Sequence, residues 1–276
     1  MLITISVIKV ITMTRYIPQW LSPVVEALEL DRPELVTMAE LTSIAEQSGV
    51  EAQGYAIADR LRKLGWLLET PQRGVWEFAP AESAGPYSTA DPLLPMKAFM
   101  LSHPGCKCAL TMQTAAWALG LADRVPACIE VSFEKRPAVK VPREISPSVF
   151  ESTIGSVEAK GVPCLHPESI VVHMAQKPSA VRSWQGALEW LPDVAYEMRE
   201  EPLLDELAGR PQSVWSRTGY LVSGMRPDLA EGISRGIETG SKVRFGPRGS
   251  AIRNDERWKV SDTLLPFDPR ELERVL

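Results

Sequence analysis

Between residues 22 and 78 three short helix patterns follow one another with almost no spacer and run straight into a turn-linked hairpin. Ser22 ahead of Pro23 offers a helix cap and a proline at the first helical position, and Val24, Val25, Leu28 and Leu30 follow at roughly helical spacing. Thr37 to Glu40 (TMAE) has the capping-box form and opens a second helix, Met38 to Gln47, with Leu41 and Ile44 on one face before Gly49. A third helix carries Ile57, Leu61 and Leu64 at i, i+4 and i+7 and stops at Gly65. Trp66 to Thr70 then alternates, Pro71 to Gly74 is turn chemistry, and Val75 to Phe78 alternates again. This order predicts a winged helix-turn-helix over residues 15–80, with the third helix placed to enter a DNA groove and the hairpin beside it. A small helical bundle with an appended hairpin is the competing arrangement.

The chain has 276 residues, too many for this unit alone, which points to a second domain. Ala79 to Pro95, rich in Pro, Ala, Ser and Gly, marks a linker, set at 81–94, and residues 95–276 form the second domain. Its helix candidates are Leu94–Leu101, Thr111–Leu119, Pro167–Gln176, Ser183–Leu191, Ser213–Leu221 and Pro227–Ile237. Strand candidates are Ala127–Phe133, Ala138–Val141, Lys242–Phe245 and Trp258–Val260. The whole chain is expected to be α+β: an N-terminal winged helix-turn-helix, then a larger mixed α/β domain without strict βαβ alternation or internal repeat.

Residues 1–14 form an apolar extension with one lysine. It is too short to span a bilayer, which needs about 20 residues, and is either an added strand or an over-long start with translation beginning at Met13. No membrane segment is expected. Four scattered cysteines, Cys106, Cys108, Cys128 and Cys164, do not make a disulfide framework and suit a reducing cytoplasm.

The net charge of −5 excludes binding nucleic acid through bulk charge, so any DNA contact must be local. With the apolar residues of the third helix turned inward, Tyr55, Asp59, Arg62 and Lys63 fall on the opposite face and Arg60 on its flank. Arginine and lysine there can bond guanine edges or phosphates, Tyr55 is placed where recognition helices touch bases, and Arg73 at the wing tip can reach an adjacent phosphate or the minor groove. The same cations could equally solvate an exposed helix. Residues 15–80 carry net charge −4, so DNA binding requires that their acids face away. A second basic stretch, Gly232–Val260, holds Arg235, Lys242, Arg244, Arg248, Arg253, Arg257 and Lys259 for net charge +4, and is either a surface for an acidic partner or DNA backbone, or a solvated hairpin.

Catalytic constellations are poor. His103, Cys106 and Cys108 lack a second close ligand pair for zinc, and Gly236–Lys242 has the wrong glycine spacing for a phosphate loop. Glu158 and Lys160 match half of a nuclease motif, without the upstream Pro-Asp, and His166 and His173 have no nucleophile beside them. No metal, cofactor or enzymatic activity is expected.

Ile17-Pro18-Gln19-Trp20, the block Ala56–Trp66 with Leu67, and the wing Arg73-Gly74-Val75-Trp76 resemble the winged-helix domain of AbiEi-family antitoxins, nearest an actinobacterial, mycobacterial branch of DNA-binding proteins. Thr114–Pro126, the Pro167-Glu168 helix start and Gly209–Leu221 extend the resemblance over most of the chain from Ile17. It implies the antitoxin of a type IV toxin-antitoxin pair. The partners implied are double-stranded promoter DNA with inverted repeats, bound by the winged helix in autorepression, and a nucleotidyltransferase-like toxin countered by the C-terminal domain. Two other function classes compete with it: a stand-alone winged-helix transcription factor whose C-terminal domain senses a ligand, and a winged-helix nuclease using Glu158 and Lys160.

Overall fold

The computed structural model describes residues 17–83, 88, 91–237 and 241–272. The expected extension 1–14 and part of the expected linker lie outside these residues. The chain divides into two compact units, residues 1–104 and 105–276.

The first unit runs α1 (Ser22–Asp31), β1 (Leu35–Thr37), α2 (Met38–Gln47), α3 (Gly54–Lys63), β2 (Leu67–Glu69), β3 (Val75–Phe78) and α4 (Leu94–Ser102). The strands form one antiparallel sheet in the order β1-β3-β2. Three helices closed by this sheet are the winged-helix arrangement expected from the sequence. Ser22 is not the cap of α1: a 3-10 turn over Gln19–Leu21 leads into the helix, Leu21 occupies the cap position without a side-chain bond, and Ser22 is the first helical residue. The capping box of α2 is present in full, the Thr37 hydroxyl accepting from Glu40 N–H at 3.2 Å and the Glu40 carboxylate accepting from Thr37 N–H at 2.7 Å. Strand β1 is too short, at three residues, to show an alternation in sequence. Leu21, Val24, Leu28, Leu41, Ile57 and Leu61 anchor the core, all fully buried.

Helix α4 was expected to open the second domain. Instead Leu94 and Ala98 pack with Leu35 and Val75 of the sheet, and Lys97 Nζ bridges Glu34 at 2.8 Å and Asp91 at 2.7 Å. The unit boundary therefore falls after Pro104 rather than within 81–94. The reason is the apolar face of α4, which needs a partner and finds it on the back of the wing.

The second unit continues with β4 (Cys108–Leu110), α5 (Met112–Ala118), β5 (Ile129–Phe133), β6 (Ile145–Val149), β7 (Ser156–Ala159) and β8 (Val162–Leu165). Helices α6 (Pro167–Gln176), α7 (Trp184–Ala187), α8 (Leu191–Glu197), α9 (Glu200–Leu207), α10 (Gln212–Val222) and α11 (Pro227–Arg235) follow, then β9 (Val243–Phe245), β10 (Arg253–Asp255) and β11 (Val260–Asp262). A mixed five-stranded sheet has the order β6-β5-β4-β8-β7, and a small sheet the order β10-β11-β9. Every residue of β5 is buried, and α6 is buried from Glu168 to Ala175 on all sides, which makes it the central helix of the unit. Helix α10 approaches the small sheet so closely that a Cβ at Gly219 would lie 2.0 Å from the Trp258 ring.

Two expectations fail here. The segment Ala138–Val141 is irregular and the strand begins only at Ile145, because Pro137 and Pro142 flank it and neither can donate to a ladder. The single helix expected over Ser183–Leu191 is two: α7 ends at Ala187 and α8 starts at Leu191, with Pro192 in its first turn. Proline lacks the amide and crowds the preceding turn, so it opens a new helix instead of extending the old one.

Candidate nucleic-acid interface and the polar core of the second unit

The approach of α3 to α2 rests on Gly54. A Cβ there would meet the Thr42 hydroxyl oxygen at 2.3 Å and the Met38 sulfur at 3.3 Å. Ile57, Ala58 and Leu61 point into the core, leaving Tyr55, Arg60, Arg62 and Lys63 exposed on the other side. The wing is fixed by Thr70, whose hydroxyl meets Val75 O at 2.8 Å, and by Met38 N–H donating to Gly74 O at 3.1 Å. Gly74 takes φ +80°, the turn conformation that presents Arg73 at the tip.

Between α3 and the wing lies an open groove of about 290 Å³, with Tyr55, Asp59, Arg62, Gln72 and Arg73 among its lining residues. Three of the five expected DNA-contact residues, Tyr55, Arg62 and Arg73, line this groove, while Arg60 and Lys63 are exposed on α3 outside its lining. Not all of their ion-pair partners follow from the helical spacing. Arg62 is ion-paired to Glu69 of β2 and to Asp59 at 3.3 Å, and Lys63 to Asp59 at 2.6 Å. Lys63 first, and Arg62 with it, hold the Asp59 carboxyl below the usual range, while Glu69 raises the Arg62 guanidinium. Arg60 and Arg73 are exposed and carry no ion pair among the described residues.

In the second unit three polar residues of α6 are buried, and each has a dedicated partner. Glu168 accepts from Arg199 N–H at 2.8 Å. Ser169 donates to Glu206 of α9 at 2.7 Å, and Glu206 also accepts from Ser152 at 2.7 Å and is ion-paired to Arg210. His173 Nδ1 lies 2.8 Å from the Thr111 hydroxyl, and its ring stacks on Phe150 at 4.3 Å. Burial lowers the His173 pKa to about 3. Because Thr111 is engaged there, it does not cap α5; the Glu130 carboxylate accepts from Thr114 N–H at 3.1 Å instead. Burial raises Glu130 to about 7 despite that bond. These groups fill polar positions in a packed interior, and their mutual bonds hold the unit together.

Glu158 and Lys160 sit on the hairpin joining β7 and β8, both exposed, with the Lys160 ammonium 4.7 Å from the Trp117 ring centre. Among the described residues no group of three or more potential ligands could hold a metal ion. Cys108, raised to about 12 by burial, is a poor thiolate donor.

The basic C-terminal segment is dispersed by the fold. Arg253 is drawn inward, bonding Asp262 at 2.9 Å and Leu265 O at 3.0 Å, so it braces the small sheet and leaves the partner surface. Lys242 and Lys259 pair with Glu256, at 3.2 and 3.4 Å, and Arg257 with Glu231 at 2.8 Å. Arg244 and Arg248 remain exposed without an ion pair among the described residues.

Residues 108–223 match the family model of the AbiEi antitoxin C-terminal domain. By this match the second unit resembles the AbiEi antitoxins. The crystal structure of the RV2827C protein from Mycobacterium tuberculosis is similar over 92% of this chain and 94% of its own, with a TM-score of 0.76 and 26% sequence identity. No curated protein matches the chain. The AbiEi match starts at β4 and ends just after α10, so it encloses the polar core around Glu130, His173 and Glu206. Helix α11 and the small sheet with its basic residues follow it. Among the described residues no helix is long and apolar enough to cross a membrane.

Proposed function

We propose that this protein is a type IV antitoxin that represses its own operon by binding inverted repeats in promoter DNA through α3 and the wing, and counteracts a nucleotidyltransferase-like toxin through its AbiEi unit. The observation that carries the reading is the conjunction of the AbiEi match with an exposed recognition-helix face, Tyr55, Arg60, Arg62 and Lys63, set beside a wing tip that presents Arg73. Arg60 and Arg73, without an ion pair among the described residues, supply backbone contacts, and Tyr55, 65% exposed at the start of α3, contributes to base choice. Arg62 and Lys63 join once their carboxylates yield. In the second unit Arg244 and Arg248 take over the partner-facing role first drawn from Lys242, Arg244, Arg248, Arg253 and Arg257. A cytoplasmic location accords with this role.

Binding to the DNA upstream of its own reading frame tests the first half. Arg60→Ala and Arg73→Ala should each weaken all sequences alike and flatten the salt dependence by about one in slope, whereas Tyr55→Ala should cost roughly 1 to 3 kcal/mol at one base position. Unchanged gel shifts for the Arg60→Ala, Arg73→Ala double variant would move the DNA surface elsewhere. The second half is tested by co-expressing the full chain with the nucleotidyltransferase-like protein encoded beside it. Growth should be restored, also by the Arg60→Ala, Arg73→Ala variant under an independent promoter; continued growth arrest with soluble antitoxin present would overturn the assignment.

A further inference from the structure

The acids of the first unit do not all face away from the candidate DNA surface. Asp59 lies on the exposed side of α3 beside Arg62 and Lys63, and Glu69 stands at the end of β2 against Arg62. All four side chains are well exposed, from 43% for Arg62 and Asp59 to 68% for Glu69. Ion pairs this wet contribute little to stability, so holding the fold together does not explain them. Their effect on an approaching polyanion is larger, because they sit at the groove itself and set its charge.

We infer that Asp59 and Glu69 form a carboxylate gate that holds Arg62 and Lys63 away from phosphates and so suppresses binding to arbitrary DNA; this rests on α3 being the DNA-facing helix. A phosphate approaching Arg62 must displace Glu69 and then faces the Asp59 charge. A matched base edge also displaces Glu69 but answers the Asp59 charge: a guanine can take the Arg62 fork through O6 and N7 while a cytosine amino group donates to the Asp59 carboxylate. Arbitrary backbone satisfies the cations and leaves Asp59 opposed by like charge, whereas a matched site satisfies Arg62 and Asp59 together. The gate therefore lowers non-specific affinity more than specific affinity and makes Asp59 a specificity-determining residue.

The test measures binding of the full-length protein to a random-sequence duplex and to its own upstream DNA by fluorescence anisotropy across a salt series. Glu69→Gln should bind the random duplex about tenfold more tightly at low salt, with a salt slope steeper by about one, and Asp59→Asn should act in the same direction. Glu26→Gln on α1 removes one acid away from the groove and controls for net charge. Adding Arg62→Ala to Glu69→Gln should abolish the gain. A gain no larger than that of Glu26→Gln, or one that survives loss of Arg62, overturns the gate. If the wild-type chain shows no preference for its upstream DNA, the promoter reading fails, while the random-duplex comparison still decides the gate. Because all the altered side chains are exposed, matched thermal melts establish that each variant is folded.

Discussion

Arg210→Ala should destabilise the AbiEi unit by about 3–5 kcal/mol, the cost of leaving a buried charge without its counter-ion. Glu206 is fully buried and Arg210 only 11% exposed, so water cannot replace the lost partner. The arginine does more than neutralise. Its guanidinium bonds Gln176 Oε1 at 2.6 Å and Glu151 O at 2.8 Å and lies 4.5 Å from the Phe150 ring, tying α6, α9 and the segment after β6 at one point. Hydroxyls of Ser152 and Ser169 would still reach the carboxylate, which places the loss nearer the lower end of the range. Adding Glu206→Gln removes the orphaned charge and should recover part of the stability, a non-additivity that chemical denaturation of the four cycle members measures directly. A loss below about 1 kcal/mol in Arg210→Ala would mean that the pair contributes little beyond its hydroxyl contacts.

How much of this was legible in the sequence depends on the range of the signal. The capping box at Thr37, the i, i+4 pair Ile57 and Leu61, and the turn at Gly74 are local, and each is found where the pattern put it. The exposed face of α3 followed from the same periodicity. What periodicity could not show was the partner of each charge: Glu69 is seven residues from Arg62 and Glu231 is 26 from Arg257, distances bridged only by the fold. For the same reason Arg253 looked like a member of a basic surface until Asp262 and Asp268 were seen behind it. Strands β1, β4 and β10 have three residues each, below the length at which alternation carries information. The Gly209–Leu221 block makes sense only in three dimensions, with Gly209 at φ +72°, Arg210 in the buried network, and Gly219 against Trp258.

The pH dependence of stability should carry two opposed contributions from the AbiEi unit. His173 is lowered from 6.5 to about 3 by burial, so its contribution is complete above pH 6.5 and is lost as pH falls toward 3. Glu130 is raised from 4.5 to about 7 by burial, so its contribution is complete below pH 4.5 and is lost as pH rises toward 7. At about 1.4 kcal/mol per pKa unit these amount to roughly 5 and 3 kcal/mol. Between pH 4.5 and 6.5 the two slopes nearly cancel, and the wild-type chain should show little net change from this pair. Single substitutions expose each slope. Glu130→Gln, which keeps an acceptor for Thr114 N–H, should gain stability relative to wild type as pH rises from 4.5 to 7. His173→Gln should lose its disadvantage relative to wild type as pH falls from 6.5, because it has no buried imidazole to protonate. Denaturant unfolding at pH 4.5, 5.5, 6.5 and 7.5 separates the cases by their differences from wild type, so titration of other groups drops out. Parallel curves for Glu130→Gln and wild type would show that Glu130 ionises in the folded unit near its ordinary pKa, and that the Thr114 amide at the start of α5 offsets its burial.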